Sequence, residues 1–216
     1  MSIDKNLEIL EDGKNNWKNK KQDNLIIANS FLRLARKFDI NSFYNINYNM
    51  LQCANYLEFK FFEDKTKKLH NVSFCKNRLC PMCNWRRSKK IFGQVAKIVD
   101  ELDKTNNYDY IFLTLTLKNC NGNELGDSID LISKSFNRMF SDNRKVKNIC
   151  KGYFRGIEVT YNKNDNTYHP HIHCIIVVDK GYFSWRNEYY IKTEEWSSIW
   201  QYYLKVDYTP IVDVRK

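Results

Sequence analysis

The stretch YHPHIHCIIVVD, residues 168–179, sets His169, His171 and His173 on alternate positions and runs on into a continuous apolar segment. Alternation by two is the period of a β-strand, in which residues i and i+2 project to one side. As a strand, the segment has one face of imidazoles and another of Ile172, Cys174, Ile176 and Val178. The preceding stretch FRGIEVTY, residues 154–161, reads as a second strand, and NKNDNT between them has the composition of a turn. A hairpin centred near residues 164 and 165 puts position 158 opposite position 171, and position 158 is Glu158. Directly opposed residues project to the same face with Cβ atoms about 5 Å apart. Glu158, His171 and His173 therefore converge. A carboxylate with two imidazoles suits Mn²⁺, Zn²⁺ or another divalent cation that keeps positions open for a substrate oxygen. One histidine alone reads as a hydrogen-bonded surface ring. Two of them opposite a glutamate in an apolar strand pair read as ligands, because burying these groups without partners is costly.

The apolar face needs a cover, and the flanking segments supply it. YIFLTLTL, residues 110–117, reads as a buried strand. Asp127 offers a helix N-cap, and Ile129, Ile132, Phe136 and Met139 form a helical stripe after it. Behind the histidines, Thr193 is a candidate cap for a helix with Trp196, Ile199, Trp200 and Tyr203 on one stripe, and TPIVDVRK ends the sequence as a strand. The order β-α-β-β-α-β predicts an α+β fold, an antiparallel sheet with both helices on one face and the histidines on the helix-free face.

Upstream, residues 1–24 are polar and read as loosely docked, followed by a helix over Leu25–Phe38. The sequence divides into an N-terminal segment and helix (1–50), a cysteine-bearing segment with a basic helix (51–105) and the sheet domain (106–216). The spacing Cys75-x4-Cys80-x2-Cys83 offers three thiolates within nine residues, and tetrahedral zinc wants a fourth ligand. Cys53 is the first candidate for it and His70 the second. Cys120, Cys150 and Cys174 stand alone, Cys174 as a small apolar residue.

The net charge of +10 is concentrated locally. Residues 60–97 hold eleven Lys or Arg against Glu63 and Asp64, a balance suited to phosphate backbones. Arg78, Arg86, Arg87, Lys89 and Lys90 cluster at the cysteines, and Trp85 among them either packs inward or stacks on a base. The polar start lacks the pattern of a signal peptide, and no apolar run is long enough for a membrane span, so the expected setting is cytoplasmic and without disulfides.

HIH at 171–173, with FRGIEVTYN before it, FLTLTLKN at 112–119 and CKNRLCPMCNWRRSKK at 75–90, resembles the HUH endonucleases, in particular the replication initiator (Rep) proteins of rolling-circle plasmids. The resemblance covers roughly residues 50–216. It implies an HUH palm preceded by a zinc knuckle, His171 and His173 as the HUH pair, Glu158 as the acidic third ligand and His169 as a further ligand or DNA contact. It also implies Mn²⁺ or Mg²⁺ as cofactor beside a structural zinc, single-stranded or hairpin origin DNA as partner, and possible host replication proteins. The implied reaction is a nick made by a tyrosine nucleophile, which keeps the 5′ end as a phosphotyrosine and frees a 3′ hydroxyl.

Proteins of this family carry that tyrosine in a Tyr-x-x-Lys pattern on a helix after the last strand of the sheet. The sequence stops at VDVRK, within or just after such a strand, so the expectation is a chain truncated before the tyrosine helix. Tyr189-Tyr190-Ile191-Lys192 and Tyr202-Tyr203-Leu204-Lys205 match the local pattern, but the second pair sits on the helix expected across the sheet from the histidines. Two other readings stand beside this one. The first is a non-catalytic, zinc-dependent nucleic-acid-binding protein. The second is a mobilisation relaxase, against which Tyr44 and Tyr48 lack a nucleophile motif.

Overall fold

The computed structural model describes residues 17–184 and 188–216, and for residues 67–69 the backbone alone. The chain divides into two compact units, one reaching to Gln94 and the other running from Val95 to the last residue.

In the first unit, α1 (Trp17–Phe38) and α2 (Asn41–Leu51) pack side by side. The helix thus starts eight residues before the expected Leu25, which corrects the reading of residues 17–24 as loosely docked; residues 1–16 lie outside the described residues. The reason is that polar residues of this first part have internal partners. Asn24 Nδ2 donates to the Met50 carbonyl (2.7 Å), and Lys21 Nζ donates to the Cys53 carbonyl (2.5 Å) and Asn55 Oδ1 (2.7 Å). A hairpin follows, β1 (Leu57–Phe61) and β2 (Lys67–Val72), turned by Asp64, whose carboxylate accepts from the Thr66 amide and hydroxyl. Then α3 (Pro81–Thr105) runs for 25 residues.

The second unit holds one antiparallel sheet of β3 (Tyr108–Thr116), β4 (Gly152–Asn162), β5 (Thr167–Asp179) and β6 (Val212–Arg215), ordered β4-β5-β3-β6. The helices α4 (Leu125–Asp142), α5 (Arg144–Ile149) and α6 (Thr193–Leu204) complete the β-α-β-β-α-β plan, with α5 a short addition after α4. Asp127 lies in the first turn of α4 and is not its cap: Glu124 precedes the helix and reaches back to the Asn121 amide (3.0 Å). Thr193 is the first residue of α6, with Lys192 in the cap position.

Ile111, Leu113, Leu115, Ile172, Cys174, Ile176 and Val178 point to one side of the sheet and are buried with Ile132, Phe136 and Met139 of α4 and Trp196, Trp200 and Leu204 of α6. Each such side chain contributes roughly 1.5–3 kcal/mol by leaving water. The alternate residues form the other face in rows set by register. Glu158, His171 and Thr116 make one row, and Gly156, His173, Thr114 and Asp213 the next; Phe154, Ile175, Phe112 and Arg215 follow. Beyond these rows the face is not bare, because Val95, Val99 and Leu102 of α3 line a cavity of about 370 Å³ with Tyr108, Tyr110, Phe154 and Val177. In the histidine rows Glu158 is exposed, His173 half-buried and His171 buried. Among the described residues no helix is long and apolar enough to cross a membrane.

Candidate functional site

Glu158 and His171 are paired across the β4–β5 hairpin, as the turn-centred register predicts. Glu158 Oε2 lies 3.5 Å from His171 Nε2 and 3.2 Å from His173 Nε2, and the ligand atoms of all three lie within 4.8 Å of one another. Adjacent ligands of a divalent ion held at about 2.1 Å stand roughly 3.0–3.4 Å apart in octahedral or tetrahedral geometry, so this triangle could hold one.

The ring orientations are fixed from behind. His171 Nδ1 lies 3.1 Å from the His169 carbonyl, which can only accept, so Nδ1 donates there and Nε2 is the nitrogen turned to Glu158. His173 Nδ1 lies 3.1 Å from Thr114 Oγ1 on the neighbouring strand, and Phe112 stacks on the same ring at 5.5 Å. No local pattern in the sequence points to Thr114, because its contact spans 59 positions and depends on how β3 pairs with β5. His171 is buried, His173 half-buried and Glu158 exposed, so an ion there would be enclosed on the β5 side and open to solvent on the β4 side. A Cβ added at Gly156, opposite His173, meets nothing within 4 Å, which leaves room for a bulky group over the site. His169 stacks on His171 at 5.2 Å and stands outside the ligand triangle; burial holds its pKa below the ordinary value, with the His171 ring adding to the effect.

The second cluster joins Cys53, Cys75, Cys80 and Cys83, with sulfur atoms 3.6 Å apart for the pairs 53–83, 75–83 and 53–80. Tetrahedral zinc with Zn–S of about 2.3 Å requires an edge of about 3.8 Å, so the set fits that ion. Cys53 is the fourth member, and His70 is exposed on β2 beside the irregular register between Glu58 and Phe59. Cys53 arrives through the turn after α2, which Lys21 fixes and which Ala54 docks by donating its amide to the Ser73 carbonyl (2.7 Å). The contact between the two sulfurs chiefly lowers the Cys80 thiol, to about 5, and the same contact together with burial raises the Cys53 thiol. One thiolate is thus already favoured, and a cation would favour the rest.

The basic residues after the knuckle fall on two stripes of α3. Arg86, Arg87 and Lys90 share a face with Cys83 and line a cavity of about 360 Å³ together with Arg78, Lys76 and Phe74. Trp85 and Lys89, four apart, form the other stripe: Trp85 meets Trp17 edge to face at 4.5 Å, and Lys89 lies over its ring. Trp85 is half-buried there. Of the tyrosines in Tyr-x-x-Lys patterns, Tyr202 and Tyr203 are on α6, which packs against the apolar face, and Tyr189 lines a cavity with Asn148, Ile149, Asp179 and Tyr182.

The sequence model of the Rep_1 family, described as replication protein, matches residues 66–216. The chain is 41% identical over 201 residues to "Protein rep" of Streptococcus pneumoniae serotype 2, covering 93% of this chain and 61% of that protein. It is 37% identical over 221 residues to "Protein rep" of Bacillus amyloliquefaciens, covering 100% and 64%, and 45% identical over 168 residues to "Protein rep" of a Bacillus species, covering 77% and 53%. The chain therefore spans between about half and two thirds of the length of these relatives. No solved structure matches it.

Proposed function

This chain belongs to the Rep_1 family of replication proteins, and on that premise we propose that it carries the metal centre and DNA-binding surface of a plasmid replication initiator that nicks one strand of its origin. The observation that supports this most is the convergence of Glu158 Oε2 on the Nε2 atoms of His171 and His173. Mn²⁺ or Mg²⁺ bound there would polarise the scissile phosphate and stabilise the charge that develops on its oxygens. His171 and His173 turn their Nε2 atoms to Glu158 while the His169 carbonyl and the Thr114 hydroxyl engage the opposite ring nitrogens. Glu158 closes the triangle from the edge strand, and the open space at Gly156 lets a DNA backbone approach.

In the nicking step a tyrosine oxygen attacks phosphorus, the new O–P bond retains the 5′ end, and the 3′ oxygen leaves as a hydroxyl. We assign this nucleophile to none of Tyr189, Tyr190, Tyr202 and Tyr203. A sheet lies between α6 and the histidines, and Asp179, beside Tyr189, is six strand residues from His173, about 20 Å. An attacking oxygen has to come within about 3.5 Å of phosphorus. The Cys53, Cys75, Cys80 and Cys83 cluster holds a structural zinc, and the basic residues beside it contact DNA.

The experiment measures binding of the chain to single-stranded origin DNA with and without Mn²⁺. Binding tightens with Mn²⁺, and Glu158→Ala removes that gain while leaving the metal-free affinity. Binding that ignores Mn²⁺ in the wild type would favour a zinc-organised nucleic-acid-binding protein without metal-assisted chemistry. Any covalent protein–DNA adduct on a denaturing gel should survive Tyr189→Phe, Tyr190→Phe, Tyr202→Phe and Tyr203→Phe. Its loss in one of them would overturn the exclusion of that tyrosine.

A further inference from the structure

The cavity beside the four cysteines is basic and holds an aromatic contact. Lys76, Arg78, Arg86, Arg87 and Lys90 line it, and its lining contains no Asp or Glu. Among the described residues none of these five has a carboxylate within ion-pair distance. Unpaired cations crowded round a concavity repel one another, and an anion relieves that repulsion. The Arg86 guanidinium carbon lies 4.5 Å from the centroid of the Phe74 ring, which leaves the exposed arginine supported on an aromatic. The volume, about 360 Å³, is at the low end of the range of small-molecule sites, enough for one nucleotide and too small for a duplex.

We propose that this cavity takes a single unstacked nucleotide of single-stranded DNA, its base stacked on the Arg86 guanidinium and its flanking phosphates held by Arg78, Arg87 and Lys90. The inference rests on the DNA-binding reading above and adds to it the form of the ligand. Guanidinium planes stack on splayed bases as aromatic rings do, and a base on such a platform contributes affinity that does not depend on its identity. Phosphate contacts contribute through charge alone and are weakened by salt. Arg86 and Arg87 thus have separable roles although they are adjacent. The cysteine cluster has a part in this, because Cys83 lies on the same helical face and fixes where these side chains begin.

The test compares two oligothymidylate-length single strands, one with thymine at every position and one with an abasic run of the same charge. The wild-type chain prefers the base-bearing strand by roughly tenfold. Arg86→Lys keeps the charge and loses the plane, so it binds both strands alike with an unchanged salt slope. Arg87→Ala lowers the salt slope on both strands by about one and keeps the preference for bases. Zinc content equal to wild type in both variants shows that the knuckle is intact. A preference for bases that survives Arg86→Lys overturns the platform, as does a wild type that binds both strands equally. A wild type that binds neither strand overturns the DNA-binding reading itself.

Discussion

Glu158 and His171 are directly opposed across the β4–β5 hairpin, and Oε2 of the one lies 3.5 Å from Nε2 of the other. The pairing depends on the turn. A slip of one residue would send the three histidines into the core and Ile172, Cys174 and Ile176 into water, so burial of the apolar set holds Glu158, His171 and His173 in register as candidate ligands.

Thr114 holds the Nδ1 side of His173, and removing its hydroxyl should loosen the ring without removing a ligand. Thr114→Val is expected to weaken Mn²⁺ affinity by about 10-fold or more, whereas Thr114→Ser stays near wild type. Isothermal titration of the two variants checks this. Equal affinity in Thr114→Val would show that the hydroxyl does not position the ligand.

Ile172 stands between two candidate ligands in sequence yet faces α4 and α6. Ile172→Ala should cost about 2–5 kcal/mol of stability through the cavity it leaves. Denaturant unfolding measures that loss, and Mn²⁺ affinity under native conditions should change little. A large loss of affinity with little loss of stability would mean that the two faces are not separated as described.

The cysteine cluster predicts about one zinc per chain, absent in Cys80→Ser. Thiol labelling gives the complementary reading. Chelation should expose Cys53, Cys75, Cys80 and Cys83 to alkylation, while Cys174, buried and with its thiol pushed up to about 12 by desolvation, stays slow until the chain unfolds. Rapid labelling of Cys174 in the folded protein would contradict its placement.

The parts legible in the sequence were those governed by short-range rules. Period two separated His171 from Ile172, the NKNDNT turn pinned Glu158 to His171, and the stripes of α4 and α6 gave the side of the sheet they cover. What needed the structure was set by distant pairing. Thr114 joins the site only because β3 aligns with β5, and Cys53 is preferred over His70 because a turn after α2 carries it to the other three cysteines. The helical start at Trp17 was hidden by its polar residues, whose partners, the carbonyls that end α2, lie about thirty positions away. The split of the basic residues between the cavity and Trp17 follows from i, i+4 spacing, but the presence of the cavity itself does not.

Glu158, His171 and His173 are proposed to bind one divalent ion on the face of the sheet opposite α4 and α6. The most direct measurement is Mn²⁺ titration of the wild-type chain and of the His171→Ala/His173→Ala double variant, followed by electron paramagnetic resonance, with circular dichroism to confirm the fold. One site is expected in the wild type and none in the double variant, with the same dichroism spectrum. Unchanged Mn²⁺ affinity in a folded double variant would contradict it.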